Sequence, residues 1–231
     1  MVSFLYSSVG HGGASGYLAL MILFDFSPEK MKSTALLLNL FVAAVSFYHF
    51  YKEGYFNSRL FWLFAIASIP FAFLGGFLTI DFFYYKKILG FLLIFAVCRI
   101  LVSNNLTQKK TRDLKTWHGL IIGSIIGFFS GLIGIGGGII LTPIILIMNY
   151  GGIKEAAAVS ALFIFVNSAA GIFGQFSSGV IYESKLLYLV FLSLIGGFFG
   201  SYFGSKKLNN SFLRFLLGVV LLVASFKLFI V

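Results

Sequence analysis

Gly134-Ile135-Gly136-Gly137-Gly138, followed by Thr142-Pro143, is the stretch that decides how this chain is read. It lies inside an apolar run from 117 to 149. As one straight helix that run would be roughly 50 Å long, too long for ~30 Å of hydrocarbon. Two half-helices folded back at the glycines would fit, and so would a tilted, broken crossing helix. Either way, the backbone groups freed at the break cannot face lipid. They must line a cavity or be buried in protein.

The rest of the chain supplies the membrane setting. Of its 231 residues 59% are hydrophobic and only 10% charged, with a mean hydropathy of +1.00. A soluble domain of this length needs a charged surface that this composition cannot provide. The reading is an all-α integral membrane protein of about eight segments, each near the ~20 residues that span a bilayer. They fall at 1–24, 29–50, 60–79 and 87–102, then at 117–149, 153–176, 186–204 and 212–231. Ser27-Pro28 reads as a helix start with Ser27 as cap. Pro70 is expected to kink the third segment.

The net charge of +10 does not point to nucleic acid, because the basic residues sit between apolar runs. They mark cytoplasmic loops instead. The polar stretch 103–116, with Lys109, Lys110, Arg112 and Lys115, reads as a cytoplasmic linker. Cys98 is the only cysteine, so no internal disulfide and no cysteine metal cluster is expected. No cofactor is called for. The N-terminus lacks a basic start and is interrupted by glycines, unlike a cleavable signal peptide.

A second copy of the glycine stretch stands near the start. Gly10-His11-Gly12-Gly13 aligns with Gly134-Ile135-Gly136-Gly137 at an offset of 124, and Gly54 aligns with Gly179 at 125. Gly75 aligns with Gly200 at 125, and Gly90 with Gly218 at 128. The chain therefore divides into a repeat over 1–102, the linker 103–116 and a repeat over 117–231. If all eight segments cross, the two sides carry 9 and 8 basic residues. If the glycine-broken segments enter and leave on one side, the counts become 11 and 6, and the halves are inverted. The inverted arrangement is favoured.

Paired broken helices point to a transporter's substrate site. The helix that follows each break offers N–H donors and a partial positive charge, which suit an anion. The candidate substrate-binding residues are Gly10, His11, Gly12, Gly13, Gly134, Gly136, Gly137 and Gly138. To these are added the polar residues of the next segment in each half: Ser33, Thr34, Asn39, Ser160 and Asn167. The carboxylates all fall at segment ends, so none is expected at mid-membrane to hold a cation. Gly196, Gly200 and Gly204, spaced by four, are assigned to helix packing instead.

This pattern resembles the sulfite exporter TauE/SafE family. The similar features are the 134–138 motif with Pro143, its degenerate copy at 10–14, and the Gly54 and Gly179 turns. Ala14 and Ala19 depart from it in the first copy. The resemblance covers nearly the whole chain. It implies export or exchange of small sulfur-containing anions, such as sulfite or sulfonates, across the cytoplasmic (inner) membrane. The many aromatic residues would also suit an aryl or alkyl sulfonate. The expected partners are the bilayer and a small anion, with self-association into a homo-oligomer left open. Two other classes compete. Gly13-Ala14-Ser15-Gly16 looks like the nucleophile motif of rhomboid proteases, which would make Ser15 catalytic. A membrane scaffold without transport is the third class.

Overall fold

The structure, a computed structural model, describes residues 1–24, 26–79, 81, 84, 87, 91, 115–180, 186–209, 212, 215 and 219. Among these there is no strand. The fourth and eighth expected segments and most of the linker lie outside the described residues.

Eight helices are described: α1 (Val2–Ser7), α2 (Ala14–Leu23), α3 (Pro28–Lys52), α4 (Ser58–Phe77), α5 (Thr116–Ile133), α6 (Gly138–Ile147), α7 (Ile153–Ser177) and α8 (Leu186–Lys206). Five of them, α3, α4, α5, α7 and α8, are long and apolar enough to cross a membrane. Helices are the expected answer in lipid, because each satisfies its own backbone bonds. Their ends follow local chemistry. Pro28 occupies the first turn of α3; Ser27 takes the cap position, but its side chain makes no capping bond. Asn57 caps α4 by accepting the Leu60 N–H at 3.0 Å. α4 stays a single helix through Pro70.

Both glycine stretches break the helix, as expected. α5 stops at Gly134, which adopts the left-handed conformation with φ +86°, and α6 starts after Gly137 at φ +80°. Both positions suit a residue without Cβ. In the first copy the break falls between α1 and α2, with Gly10 at φ +79° and Gly13 at φ +102°.

Helix directions follow from the contacts. A Cβ on Gly123, Gly127 or Gly131 of α5 would strike the Phe64, Ser68 or Ala72 carbonyl of α4 in turn. The two helices therefore run side by side in one direction. Thr116 lies level with Ser58, and the break at Gly134 lies deeper. α6 then returns. Asn57 donates to Glu155 Oε1 at 2.6 Å, so α7 begins at the end where α4 begins. The same end gathers the Lys206–Glu53 ion pair at 3.5 Å and a bond from Lys154 Nζ to the Ser205 carbonyl at 3.0 Å. α5 and α6 thus form a hairpin whose two ends lie at the same end of the bundle.

Gly196, Gly200 and Gly204 of α8 lie on Ser3, Phe4 and Ser8 of α1 and its end. This is the packing role read for them, with backbones close enough for dense dispersion contact. α3 and α7 pack on each other at the centre; α4 covers α7, and α8 covers α3. Large side chains of α4 and α8, such as Trp62, Ile66, Phe191 and Phe199, point outward.

Candidate functional site

Each glycine break packs on the long helix of the other half. A Cβ on Gly10 would run into the backbone of Ala157 in α7, and one on Gly134 would stand 3.1 Å from the Lys32 carbonyl in α3. The breaks are therefore buried in protein, as lipid requires of irregular backbone.

Asn39, fully buried on α3, is where the two breaks meet. Its Oδ1 accepts the Ala14 N–H at 3.1 Å, which opens α2. A Cβ at Gly12 would collide with that same side chain, and a Cβ at Gly136 would stand 2.8 Å from Asn39 Nδ2. Asn39 Nδ2 has no hydrogen-bond partner within the protein, and neither has Ser168 Oγ. Both lie against Gly136, with Ser168 Oγ 3.3 Å from where its Cβ would be. Ser130 Oγ is likewise unpaired, and its Cβ stands 3.4 Å from a Cβ built on Gly137. Buried polar groups are normally satisfied, and leaving one unmade costs ~1–3 kcal/mol. Three such unpaired groups gather at one break.

His11 anchors a second cluster. Its Nε2 lies 2.9 Å from Thr142 Oγ1, and Thr142 donates to Ser160 Oγ at 2.7 Å. The first break, α6 and α7 are thus tied by one chain of hydrogen bonds.

The other candidates lie apart. Asn167 bridges helices: its Oδ1 accepts from Ser68 Oγ of α4 at 2.5 Å, and its Nδ2 donates to the Phe163 carbonyl at 2.8 Å. Ser33 donates to the Glu29 carbonyl and accepts from Gln175 Nε2 at 3.1 Å, near one end of the bundle. Thr34 is buried with its hydroxyl unpaired. Ser130, Ser168 and Thr142 were not among the candidates. Their proximity to the breaks depends on helix pairing, which spacing alone does not give. Thr142, four residues beyond Gly138, carried the one usable signal.

Ser15 makes no catalytic pair among the described residues. Its hydroxyl donates to Tyr6 Oη at 2.7 Å. His11 is held by Thr142, His49 bonds Ser201 at 2.7 Å, and His118 stacks on Trp117.

Comparison with known proteins gives the family. The family model described as sulfite exporter TauE/SafE matches residues 1–228. A probable membrane transporter protein of Sinorhizobium fredii is 36% identical over 99% of this chain and 94% of its own length. A probable membrane transporter protein of Methanocaldococcus jannaschii is 30% identical over 79% of this chain and 73% of its own. One of Bacillus subtilis is 26% identical over 88% and 82%. No solved structure matches. With the family model spanning the chain and paired helix breaks buried at its centre, this protein belongs to the sulfite exporter TauE/SafE family and is a multi-pass membrane transporter, not an enzyme.

Proposed function

We propose that this transporter exports or exchanges a small, sulfur-containing anion across the cytoplasmic membrane, and that it binds the anion where the glycine breaks meet Asn39. The observation that carries this reading is the pair of unpartnered groups at Gly136, Asn39 Nδ2 and Ser168 Oγ. An amide N–H and a hydroxyl can both donate to an oxoanion, and the starts of α2 and α6 add the positive ends of two helices. No carboxylate is buried among the described residues, so a cation has no evident counter-charge. The sulfur comes from the family's name alone. Aromatic rings give an aryl sulfonate no support, since many on α4 and α8 face outward.

The site sits between two inverted four-segment repeats, 1–102 and 117–231, joined by the linker. Contact symmetry supports this: α4 lies on α5 and α7 as α8 lies on α1 and α3. The one-sided α5–α6 hairpin supports inversion. A flux screen in proteoliposomes with sulfite, sulfate, short sulfonates, carboxylates and metal cations tests the function. Flux of cations with no response to any anion would overturn it, and a response to carboxylates alone would discard the sulfur.

Orientation is tested separately. Lys52, Arg59, Lys115, Lys154, Lys206 and Lys207 gather at one end of the described bundle, so that end is assigned to the cytoplasm. In a Cys98→Ser background, an impermeant maleimide should label Ser178→Cys on intact cells and Lys207→Cys only after permeabilisation. The reverse pattern would invert the assignment.

His11→Ala should lower anion flux about tenfold, the worth of roughly 1.4 kcal/mol, because it disconnects the first break from Thr142 and Ser160. Thr142→Val should do the same more weakly. Flux per folded molecule unchanged in both would make the chain purely structural.

A further inference from the structure

Lys32 is the one Lys, Arg, Asp or Glu side chain that is buried among the described residues, at 7% exposure. It stands in the first turns of α3, where its stem packs on the second glycine break, 3.3 Å from a Cβ built on Gly134. Its ammonium donates to the carbonyls of Gly75, Gly76 and Leu78 at 3.1, 2.9 and 2.9 Å. These carbonyls close α4, so the cation answers the negative end of that helix. Carbonyl dipoles hold the ammonium in place without cancelling its charge. Among the described residues no carboxylate is paired with it.

A pocket of about 350 Å³ opens beside Lys32, walled also by Ser27, Thr79, Gln175 and Ser178. Among the described residues no aromatic ring lines it. Glu29 shares the wall but is exposed, where water and salt screen it. The Lys32 charge acts through protein of lower dielectric and dominates inside. The volume holds a small oxoanion with several waters, each needing ~30 Å³. The pocket lies at the ends of α4 and α7 opposite Asn57 and Glu155, which is the side assigned to the exterior.

We propose that this pocket is the outer port of the transport path, in which the Lys32 ammonium meets the transported oxoanion. The inference rests on the anion reading above. Because the Lys32 stem touches Gly134, an anion held there is one glycine break away from Asn39 and Ser168. The three carbonyls occupy the ammonium's three N–H donors, so an incoming anion is drawn by the Lys32 charge and bonds it directly only by displacing a carbonyl.

Thiol modification tests the port without needing transport. In a Cys98→Ser background, Thr79→Cys in reconstituted protein is treated with 2-sulfonatoethyl methanethiosulfonate or its trimethylammonium analogue. Relative to a free thiol, the sulfonate reagent should react about tenfold faster, the scale of electrostatic focusing in a charged cleft. Lys32→Gln should erase the preference and Lys32→Arg keep it. Millimolar methanesulfonate at constant ionic strength should slow the reaction while Lys32 is present, a measurement that holds even if Lys32→Gln does not accumulate. No reagent preference and no protection would sink the port, whatever the flux. Intact preference with no anion flux in the parent protein would sink the transport reading instead and leave a bare anion site.

Discussion

Gly136→Val is expected to eliminate most of the folded transporter. Two independent costs meet at this position. The backbone sits at φ +73°, which costs an L residue about 1–2 kcal/mol and a β-branched one more. A Cβ there would also stand 2.7 Å from Ile164 Cγ2 and 2.8 Å from Asn39 Nδ2, and such overpacking adds about 1–3 kcal/mol. Together they should lower Tm in detergent by roughly 10 °C. Three glycines separate the terms. Gly54→Ala carries only the backbone strain, since φ is +78° and nothing lies within 4 Å. Gly131→Ala carries only the collision, with the Ala72 carbonyl. Gly152→Ala meets nothing within 4 Å, has φ −76°, and should be neutral. Thermal unfolding of the four variants checks the ranking. Gly136→Val as stable as Gly152→Ala would refute the packing described for the break.

Asn39→Leu should lower anion flux about a hundredfold at matched protein. The substitution removes the acceptor for the Ala14 N–H and the donor aimed at Gly136. Hydrogen bonds to a charged group are worth about 1.5–3 kcal/mol, and 1.4 kcal/mol is a factor of ten. Asn39→Asp keeps the acceptor and adds a negative charge, so it should suppress anion flux as severely while keeping α2 in place. Asn167→Leu provides the contrast. It breaks the link from α7 to Ser68 and should lower stability without a specific loss of flux. Anion flux surviving in Asn39→Asp would place the substrate elsewhere.

Much of this fold could be read from the chain because lipid leaves so few options. The runs at 29–50, 153–176 and 186–204 became α3, α7 and α8 within a few residues, and both glycine stretches broke their helices. Gly134 and Gly137 announced themselves because left-handed backbone and glycine go together. Ser27 was placed correctly at the start of α3, but its side chain makes no capping bond. The site was legible only in part. His11 and Asn39 stood out as polar residues within apolar surroundings, yet nothing local says that His11 reaches Thr142, 131 residues away. Asn167 looked equivalent to Asn39 in sequence, but the crossing of α4 over α7 satisfies it with Ser68. Lys32 was not singled out in the sequence. Only the end of α4, folding back over it, takes it out of water.

The hairpin of α5 and α6 also constrains how the protein can be made. α6 extends roughly 15 Å, half the hydrocarbon thickness, and α5 and α6 together return to the end of the bundle where α5 begins. As the ribosome extrudes them, this pair has no stable resting place in open lipid, because the backbone at 134–137 would be stranded there. Its shelter comes from α3 and α4, synthesised earlier, and from α7, which follows. With the hairpin inserted as proposed, the second half would therefore need the first beside it as it folds.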